Sequence, residues 1–563
     1  MVNLRDGAQI VRGLSLVLDH YCAQNKGPAL TRARSAQYHA TELFKIMIEQ
    51  AQASASSAVP SPASRSDAVG HHASSSYKQE TDMTGFDSIA RNDSEEFHIP
   101  LERVMEEDAM RKKTMKPRAV PATQTERLFG FGSLFAKMAM GRAAQRVAGA
   151  FNTDNNENSA ASGMSDQNAE VLAEALCRMR GAALKLGQML SVQDDGMLPP
   201  ALAQALDRVK QAADYMPSAQ LEKQLSDELG ADWREKFAYF DEVPIAAASI
   251  GQVHRATLLD GTEVAMKIQY PGVATSIHSD LNNLKSLVTY MNVLPPGLFV
   301  DEIIKVASVE LSAECDYVLE AQHQQRYRDL VAADPVLSRN MQAPKLYPEY
   351  CTKQILTSEY VKGVTIEKAL DLPEPVRNAI ARSILVLTIR ELFQWRFVQS
   401  DPNFGNYLYD DSGPQRMINL IDFGASREYS EDFMNRYLKV VWAAANGDRA
   451  VVLEESMALG FLTGDEAKEM VEAHVDAAMI VGEPFKSHEP FDFGSADLTK
   501  RIGVYGSVFL KYRLKAPPTE AYSLHRKLAG AILLCIRLRA KIVCRDVLEE
   551  AFESYRFDNN IQE

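Results

Sequence analysis

Residues 400–424 read SDPNFGNYLYDDSGPQRMINLIDFG, placing Asp401 five residues before Asn406 and 21 before Asp422. That order and rough spacing suit a phosphoryl-transfer site, with a catalytic base, a metal-binding amide and a metal-binding carboxylate. The residue types follow from the chemistry. A magnesium ion bridging phosphate oxygens takes hard oxygen ligands, while a separate carboxylate receives a proton or orients the acceptor. Asp-Phe-Gly alone recurs by chance and would ordinarily mark a turn after a buried strand. Here it follows the short apolar run Met417-Ile418-Asn419-Leu420-Ile421 and has the Asp401/Asn406 pair upstream, so the combination reads as a site.

A kinase carrying such a site needs a phosphate-covering loop upstream, followed by a strand with a lysine. Residues 244–268, PIAAASIGQVHRATLLDGTEVAMKI, supply a loop, a strand, a tight turn at Asp260-Gly261 and a second strand carrying Lys267. Where a protein kinase has three glycines, this loop has Ala246, Ala247, Ala248 and Ser249 and keeps only Gly251. Alanine narrows the backbone freedom that lets such a loop wrap phosphates, so nucleotide selectivity or turnover is expected to differ from an ordinary kinase. The helical stretch VELSAECDYVLEAQHQQRY offers Glu310, Glu314, Asp316 and Glu320 as partners for Lys267. Spacing does not choose among them, and Glu310 reads equally well as a solvated helix-face carboxylate. About forty residues separate Lys267 from this helix, an insertion relative to a minimal small lobe. Ser358-Glu359-Tyr360-Val361 is the expected hinge, whose backbone groups would hold adenine.

Two absences bear on the substrate. The position two residues after Asp401, usually a lysine that meets the transferred phosphate, is Asn403. After Gly424 the chain runs ASREYSEDFMNRYLKVVWAAA, so a helix starts almost at once, with no long activation segment and no Ala-Pro-Glu. The peptide platform is missing, which points to small-molecule phosphotransfer or ATP hydrolysis rather than protein phosphorylation.

These words resemble the UbiB family of atypical kinases, the aarF-domain-containing kinases, and within it the mitochondrial members that support coenzyme Q biosynthesis. The matching words are RGAALKLGQMLSVQDD around Lys185 to Gln188, AAASIGQVH, VAMKIQYPGV, ECDYVLEA, SDPNFGN and LIDFGASREY, with GFLTGDEAK, GEPFKSHEPFDFG and YSLHRKLAG further on. The likeness runs from about residue 165 to 555. It implies that Lys185, Gly187 and Gln188 sit on helices folded over the cleft where a peptide would dock. It further implies Glu314 and Asp316 as partners of Lys185, Glu320 as partner of Lys267, and ATP and Mg2+ as ligands. Coenzyme Q biosynthesis proteins, anionic membrane lipids and lipid-like quinone precursors are the implied partners, with a homodimer left open. The implied location is the matrix face of the mitochondrial inner membrane.

Bulk properties agree with a soluble enzyme that touches a membrane. The chain has 563 residues, 46% of them hydrophobic, and room for a large core plus appendages. A net charge of −14 argues against nonspecific nucleic-acid binding. Six scattered cysteines without a Cys-x-x-Cys indicate neither a zinc site nor a disulfide framework. The first fifty residues make a mediocre targeting signal, because Asp6 and Asp19 accompany Arg5, Arg12, Arg32 and Arg34. Ile10, Val11, Leu14 and Val17 recur there at helical spacing.

The expected fold is α+β, a bilobal, atypical protein-kinase-like fold with an N-terminal helical extension and extra large-lobe helices. The expected parts are an N-terminal helical or targeting region (1–50), a disordered linker (51–125) and an amphipathic membrane-associating segment with linker (126–164). A helical extension carrying Lys-x-Gly-Gln (165–240), a small lobe with insertion (241–358) and a large lobe (359–563) complete it. Residues 127–151, apolar but interrupted by Lys137, Arg142 and Arg146, would lie on an anionic membrane or pack on the folded domain. Segment 373–398 reads as a buried helix leading to the catalytic loop. Trp395, Trp442 and 530–544 read as core, with Arg537, Arg539 and Lys541 as a solvated stripe.

Overall fold

The computed structural model describes residues 117–123, 126, 127, 130, 131, 134, 215–291, 299–401, 403–413 and 415–554. The chain divides into two units, Met1–Gln79 and Glu80–Glu563, and every described residue belongs to the second. Helix α1 (Ser218–Leu229) leads into a five-stranded antiparallel sheet of β1 (Phe237–Phe240), β2 (Ala246–Ala247), β3 (Gly251–Leu258), β4 (Glu263–Gln269) and β6 (Ile355–Glu359). Its order is β1-β3-β4-β6, with β2 also on β3. The β3–β4 hairpin turns at Gly261, φ +88°, a conformation glycine adopts without penalty. There the Asp260 carboxylate accepts from the Thr262 N–H at 2.9 Å. Along β4, Val264, Met266 and Ile268 are fully buried while the residues between them are half-buried. This period of two puts Lys267 on the face opposite the small-lobe core.

Between β4 and β6 the chain makes α2 (Val273–Met291), α3 (Val300–Glu314), α4 (Tyr317–Ala333) and the short strand β5 (Met341–Gln342). The stretch read as one helical run is thus two helices. The physical reason is Asp316, whose carboxylate accepts from the Val318 and Leu319 N–H groups at 3.1 Å and so starts α4 afresh.

The path into the other sheet is forced at Gly363, φ +136°, where a Cβ would meet the Tyr409 carbonyl at 2.7 Å. That second sheet has the order β5-β10-β9-β7, from β7 (Val364–Thr365), β9 (Tyr407–Asp410) and β10 (Met417–Leu420). Helix α5 (Glu374–Ile389), almost wholly buried, runs into a π-type turn, Arg390–Trp395, and Arg396 then reverses the chain at φ +50°. β8 (Phe397–Gln399) pairs antiparallel with β11 (Ser426–Glu428), bringing the two ends of the stretch quoted first back together. Helices α6 (Glu431–Asn446), α7 (Arg449–Ala458), α8 (Lys468–Gly482), α9 (Leu498–Gly503), α10 (Gly506–Tyr512), α11 (Thr519–Arg537) and α12 (Arg545–Ser554) build the rest of the large lobe. Between them lie β12 (Phe491–Asp492) and β13 (Lys541–Ile542). Cys535 and Cys544 are buried in this core, and Trp442 stacks on Phe552 with centroids 4.0 Å apart.

Two expectations change. Residues 117–123, expected within a disordered linker, run over the small lobe. The Gln220 side chain bonds both ways to the Val120 backbone, at 3.1 and 3.0 Å, and the Ala122 carbonyl lies against Gly272 so closely that a Cβ would come within 2.0 Å. The apolar segment that follows spends Phe131 and Leu134 on the small-lobe core. Its Arg127 forms a buried ion pair with Asp280 of α2 at 2.7 Å. These side chains take the packed alternative rather than a membrane. Among the described residues no helix is long and apolar enough to cross a membrane. Residues 1–50, most of 51–125, the rest of 126–164 and all of 165–214 fall outside the described residues.

Candidate active site

Lys267 stands opposite Val253 on one side and Leu356 on the other, in the middle of three paired strands. Its ammonium reaches Glu320 Oε1, in the first turn of α4, at 2.5 Å, and lies 3.8 Å from Asp422 Oδ1. Glu320 is 1% exposed. The structure therefore selects one of the four acidic candidates. Glu310 is not solvated: it is buried and takes two bonds from Arg526 of α11, at 2.6 and 2.7 Å. Asp316 caps α4. Glu314 closes α3 beside the glycine of Asp-Phe-Gly, its Cγ 3.4 Å from where a Gly424 Cβ would stand. Lys185, Gly187 and Gln188 lie outside the described residues.

Burial works against the Lys267 ammonium, but the charges of Asp422 and Glu320 outweigh it and hold its pKa well above the ordinary lysine value. Burial pushes the Glu320 carboxyl up, and the adjacent ammonium opposes that push. Tyr317, 5.2 Å from the ammonium to its ring centroid, is kept a neutral phenol by burial. Its hydroxyl would lie 2.8 Å from a Cβ on Gly251, where the Ile268 carbonyl would be 2.6 Å away. Gly251 is required by this close approach.

The alanine stretch is not an open loop. Ala246 and Ala247 pair with Val253 and Gln252 as β2, and the Ala248 N–H donates to the Gly251 carbonyl at 2.8 Å, closing a tight turn over Ser249 and Ile250. Beneath it, Gln252 Oε1 accepts from the Met216 N–H at 2.9 Å, and its amide meets His254 Nε2 at 2.8 Å. His254 Nδ1 lies 2.7 Å from the Asp241 carbonyl. The matched word Gly-Gln-Val-His is thus a buried brace under the phosphate-loop position. At the expected hinge, Ser358 and Glu359 pair with Ala265 and Val264, and the Tyr360 N–H donates to the Glu263 carbonyl at 3.1 Å. The Glu359 carboxylate accepts from the Lys345 N–H at 3.2 Å. Val361 follows on the way to Gly363.

On the large-lobe side one residue that sequence reasoning missed joins the two halves. Gln399 Oε1 accepts from the Asp401 N–H at 2.7 Å, and its Nε2 donates to the Asp422 carbonyl at 2.9 Å. Asn403, standing where a kinase has lysine, serves the loop's shape. Its N–H donates to Asp401 Oδ1 at 3.2 Å, its Oδ1 accepts from the Gly405 N–H at 3.0 Å, and its carbonyl accepts from the Asn406 N–H at 3.0 Å. Asn406 returns a bond to the strand before Asp422, accepting from the Ile421 N–H at 3.1 Å. Arg526 was also missed. Asp401 is among the charges that keep its guanidinium protonated, so Arg526 sits within electrostatic reach of the expected base. The only sequence signal was the matched word YSLHRKLAG; nothing local ties it to Glu310, 216 residues away.

Asp422 lies beside the buried ammonium and Asn406 is tied through its carbonyl to the neighbouring Ile421, and their side chains are of the hard-oxygen type that suits a magnesium ion carrying phosphates. The buried Asn406 amide nitrogen has no hydrogen-bond partner among the described residues; as an N–H donor it suits a phosphate oxygen, while the side-chain oxygen of the same amide is the atom that would hold the cation.

Residues 208–456 match the family model of the ABC1 atypical kinase-like domain. The chain is 47% identical over 444 residues to the atypical kinase COQ8B, mitochondrial, of Danio rerio, covering 78% of this chain and 70% of that one. The chain belongs to the ABC1 atypical kinases. To the Rattus norvegicus COQ8B atypical kinase it is 45% identical, over 78% of this chain and 82% of the relative. To the Saccharomyces cerevisiae COQ8 atypical kinase it is 42% identical, over 80% and 89%. All three relatives are named mitochondrial. Membership carries the kinase-like fold and an ATP-binding, phosphotransferase-type domain, in line with the resemblance seen in the motifs.

Proposed function

We propose that this chain is an atypical kinase-like ATPase that binds Mg-ATP and supports coenzyme Q biosynthesis at the matrix face of the mitochondrial inner membrane. It acts on lipid precursors or on the biosynthetic proteins rather than on peptide substrates. The observation that carries the reading is the buried Lys267–Glu320 pair facing Asp422, with Asp422 tied through Gln399 to Asp401. In this assignment Lys267 holds the phosphates, and Glu320 fixes the direction of its ammonium. Asn406 and Asp422 hold magnesium, which when bound supplies positive charge against the phosphate oxygens. Asp401 orients a hydroxyl or water and receives its proton. The backbone at Ser358, Glu359, Tyr360 and Val361 receives adenine, and the alanine hairpin with Gly251 covers the phosphates.

Asn403 in place of lysine, and β11 passing straight to α6, support a site without a peptide platform. By family motif, Lys185, Gly187 and Gln188 cover the cleft and meet Glu314 and Asp316. A scaffold that only senses nucleotide is the competing reading. Titration with a fluorescent ATP analogue tests the metal assignment: Asp422→Asn is expected to abolish magnesium-dependent binding, while Asp401→Asn keeps it. Undiminished affinity in Asp422→Asn would overturn the assignment.

A further inference from the structure

Within the matched word YSLHRKLAG, Lys527 of α11 has no part in the cleft assignment, yet its side chain is only 3% exposed. It forms an ion pair with Glu391, in the π-type turn after α5, whose side chain is 1% exposed. Lys527 Nζ also donates to the Tyr407 hydroxyl at 3.4 Å. Glu391 Oε1 in turn accepts from the Tyr327 hydroxyl at 2.7 Å and from the Gln399 N–H at 3.4 Å. Each of these partners adjoins a residue of the site. Tyr327 lies on α4, the helix of Glu320, and Tyr407 directly follows Asn406. Gln399 links the Asp401 N–H to the Asp422 carbonyl. One buried charge pair therefore reaches the segments that carry the partner of Lys267, the amide and the base.

Burial opposes the charge on Lys527, but Glu391 outweighs it and raises the lysine pKa, while burial pushes the Glu391 carboxyl up against the pull of Lys527. Taking two charges out of water offsets much of their attraction, so a buried pair adds little stability over neutral side chains of similar volume. What neutral side chains lack is the strength and direction of charged hydrogen bonds. We propose that Lys527 is a positioning residue for phosphoryl transfer, which through Glu391 and Tyr407 fixes Gln399 and the start of β9, and with them Asp401 and Asn406. The inference rests on the proposed reading of the cleft. Lys527 lies beyond residues 208–456, the span of the family-model match, so the device is supplied to the kinase-like domain by a helix that follows it.

The test compares the full chain with Glu391→Gln/Lys527→Met, which removes both charges together and leaves an amide oxygen to accept from Tyr327 and Gln399. Thermal unfolding, binding of a fluorescent ATP analogue across a magnesium titration, and phosphate release from ATP are read on the same samples. The neutral pair is expected to keep an unfolding midpoint near wild type, while turnover falls about tenfold to a hundredfold. Nucleotide affinity at saturating magnesium is expected to stay within about twofold of wild type, and the magnesium needed for half-maximal binding to rise severalfold. Tyr407→Phe, which keeps both charges and removes only the hydroxyl that Lys527 meets, is expected to shift turnover and magnesium requirement in the same directions by less. Wild-type turnover and magnesium requirement in the neutral pair overturn the proposal, as does a parallel loss of saturating affinity and turnover. If the wild-type chain releases no phosphate, the reading of the cleft as a turnover site falls, and the magnesium requirement decides the role of Lys527 by itself.

Discussion

Lys267 and Glu320 form an ion pair whose side chains are 14% and 1% exposed. Removing one partner leaves the other charge buried without compensation. Lys267→Met is therefore expected to destabilise the chain by about 3–5 kcal/mol, and Lys267→Met with Glu320→Leu to regain most of that stability without regaining nucleotide. Thermal unfolding beside nucleotide titration checks both statements; an unchanged midpoint in the single variant would show that the pair is not a buried one. His254 offers a pH test. It is fully buried, and burial lowers its pKa from 6.5 to about 4. Between those values the unfolded chain binds more protons than the folded one. Its contribution is complete above pH 6.5 and is lost as pH falls toward 4, at about 1 kcal/mol per pH unit. His254→Gln is expected to flatten the fall of unfolding midpoint across that window. A slope identical to wild type would contradict the assignment.

At the scale of elements, the site depends on how strands and loops are tied together. β8 carries Gln399 between the loop of Asp401 and the turn of Asp422, so Gln399→Leu leaves the Asp401 N–H and the Asp422 carbonyl without their shared partner. Losing such bonds amounts to about 1–3 kcal/mol. The expected outcome is a fall in turnover of about one to two orders of magnitude, with nucleotide affinity nearly unchanged. If affinity and turnover fell together, Gln399 would be a general structural prop instead of a positioning residue. Short contiguous words made the strand–turn–strand pieces legible: the VAMK strand, the Asp260-Gly261 turn and Asp-Phe-Gly each fold within a few residues of themselves. The break between α3 and α4 was not read, although Asp316 has the residue type of an N-cap, because apolar periodicity continues across it. The alanine run was read as loop because strand β2 is only two residues long and exists through its pairing to β3.

For the whole molecule, residues far apart in sequence decide the arrangement. Arg127 and Asp280 are 153 residues apart, and Glu310 and Arg526 are 216 apart. A single sequence gives no sign of either pair, so Glu310 could be read as solvated and the segment around Arg127 as membrane-bound. Arg127→Ala is expected to destabilise the small lobe by about 3–5 kcal/mol, as the buried Asp280 loses its counter-charge. A thermal unfolding midpoint equal to wild type would mean that the 117–134 segment does not pack as described. The cleft, by contrast, was legible because phosphoryl transfer requires particular residue types in a particular order, whatever surrounds them.

The most direct test of the central claim is phosphate release from ATP by the purified chain with magnesium, without any protein acceptor, compared with Asp401→Asn. The account predicts release that anionic vesicles stimulate and that the variant loses while still binding nucleotide. Tight nucleotide binding without release in the wild-type chain would contradict it and leave a nucleotide-sensing scaffold.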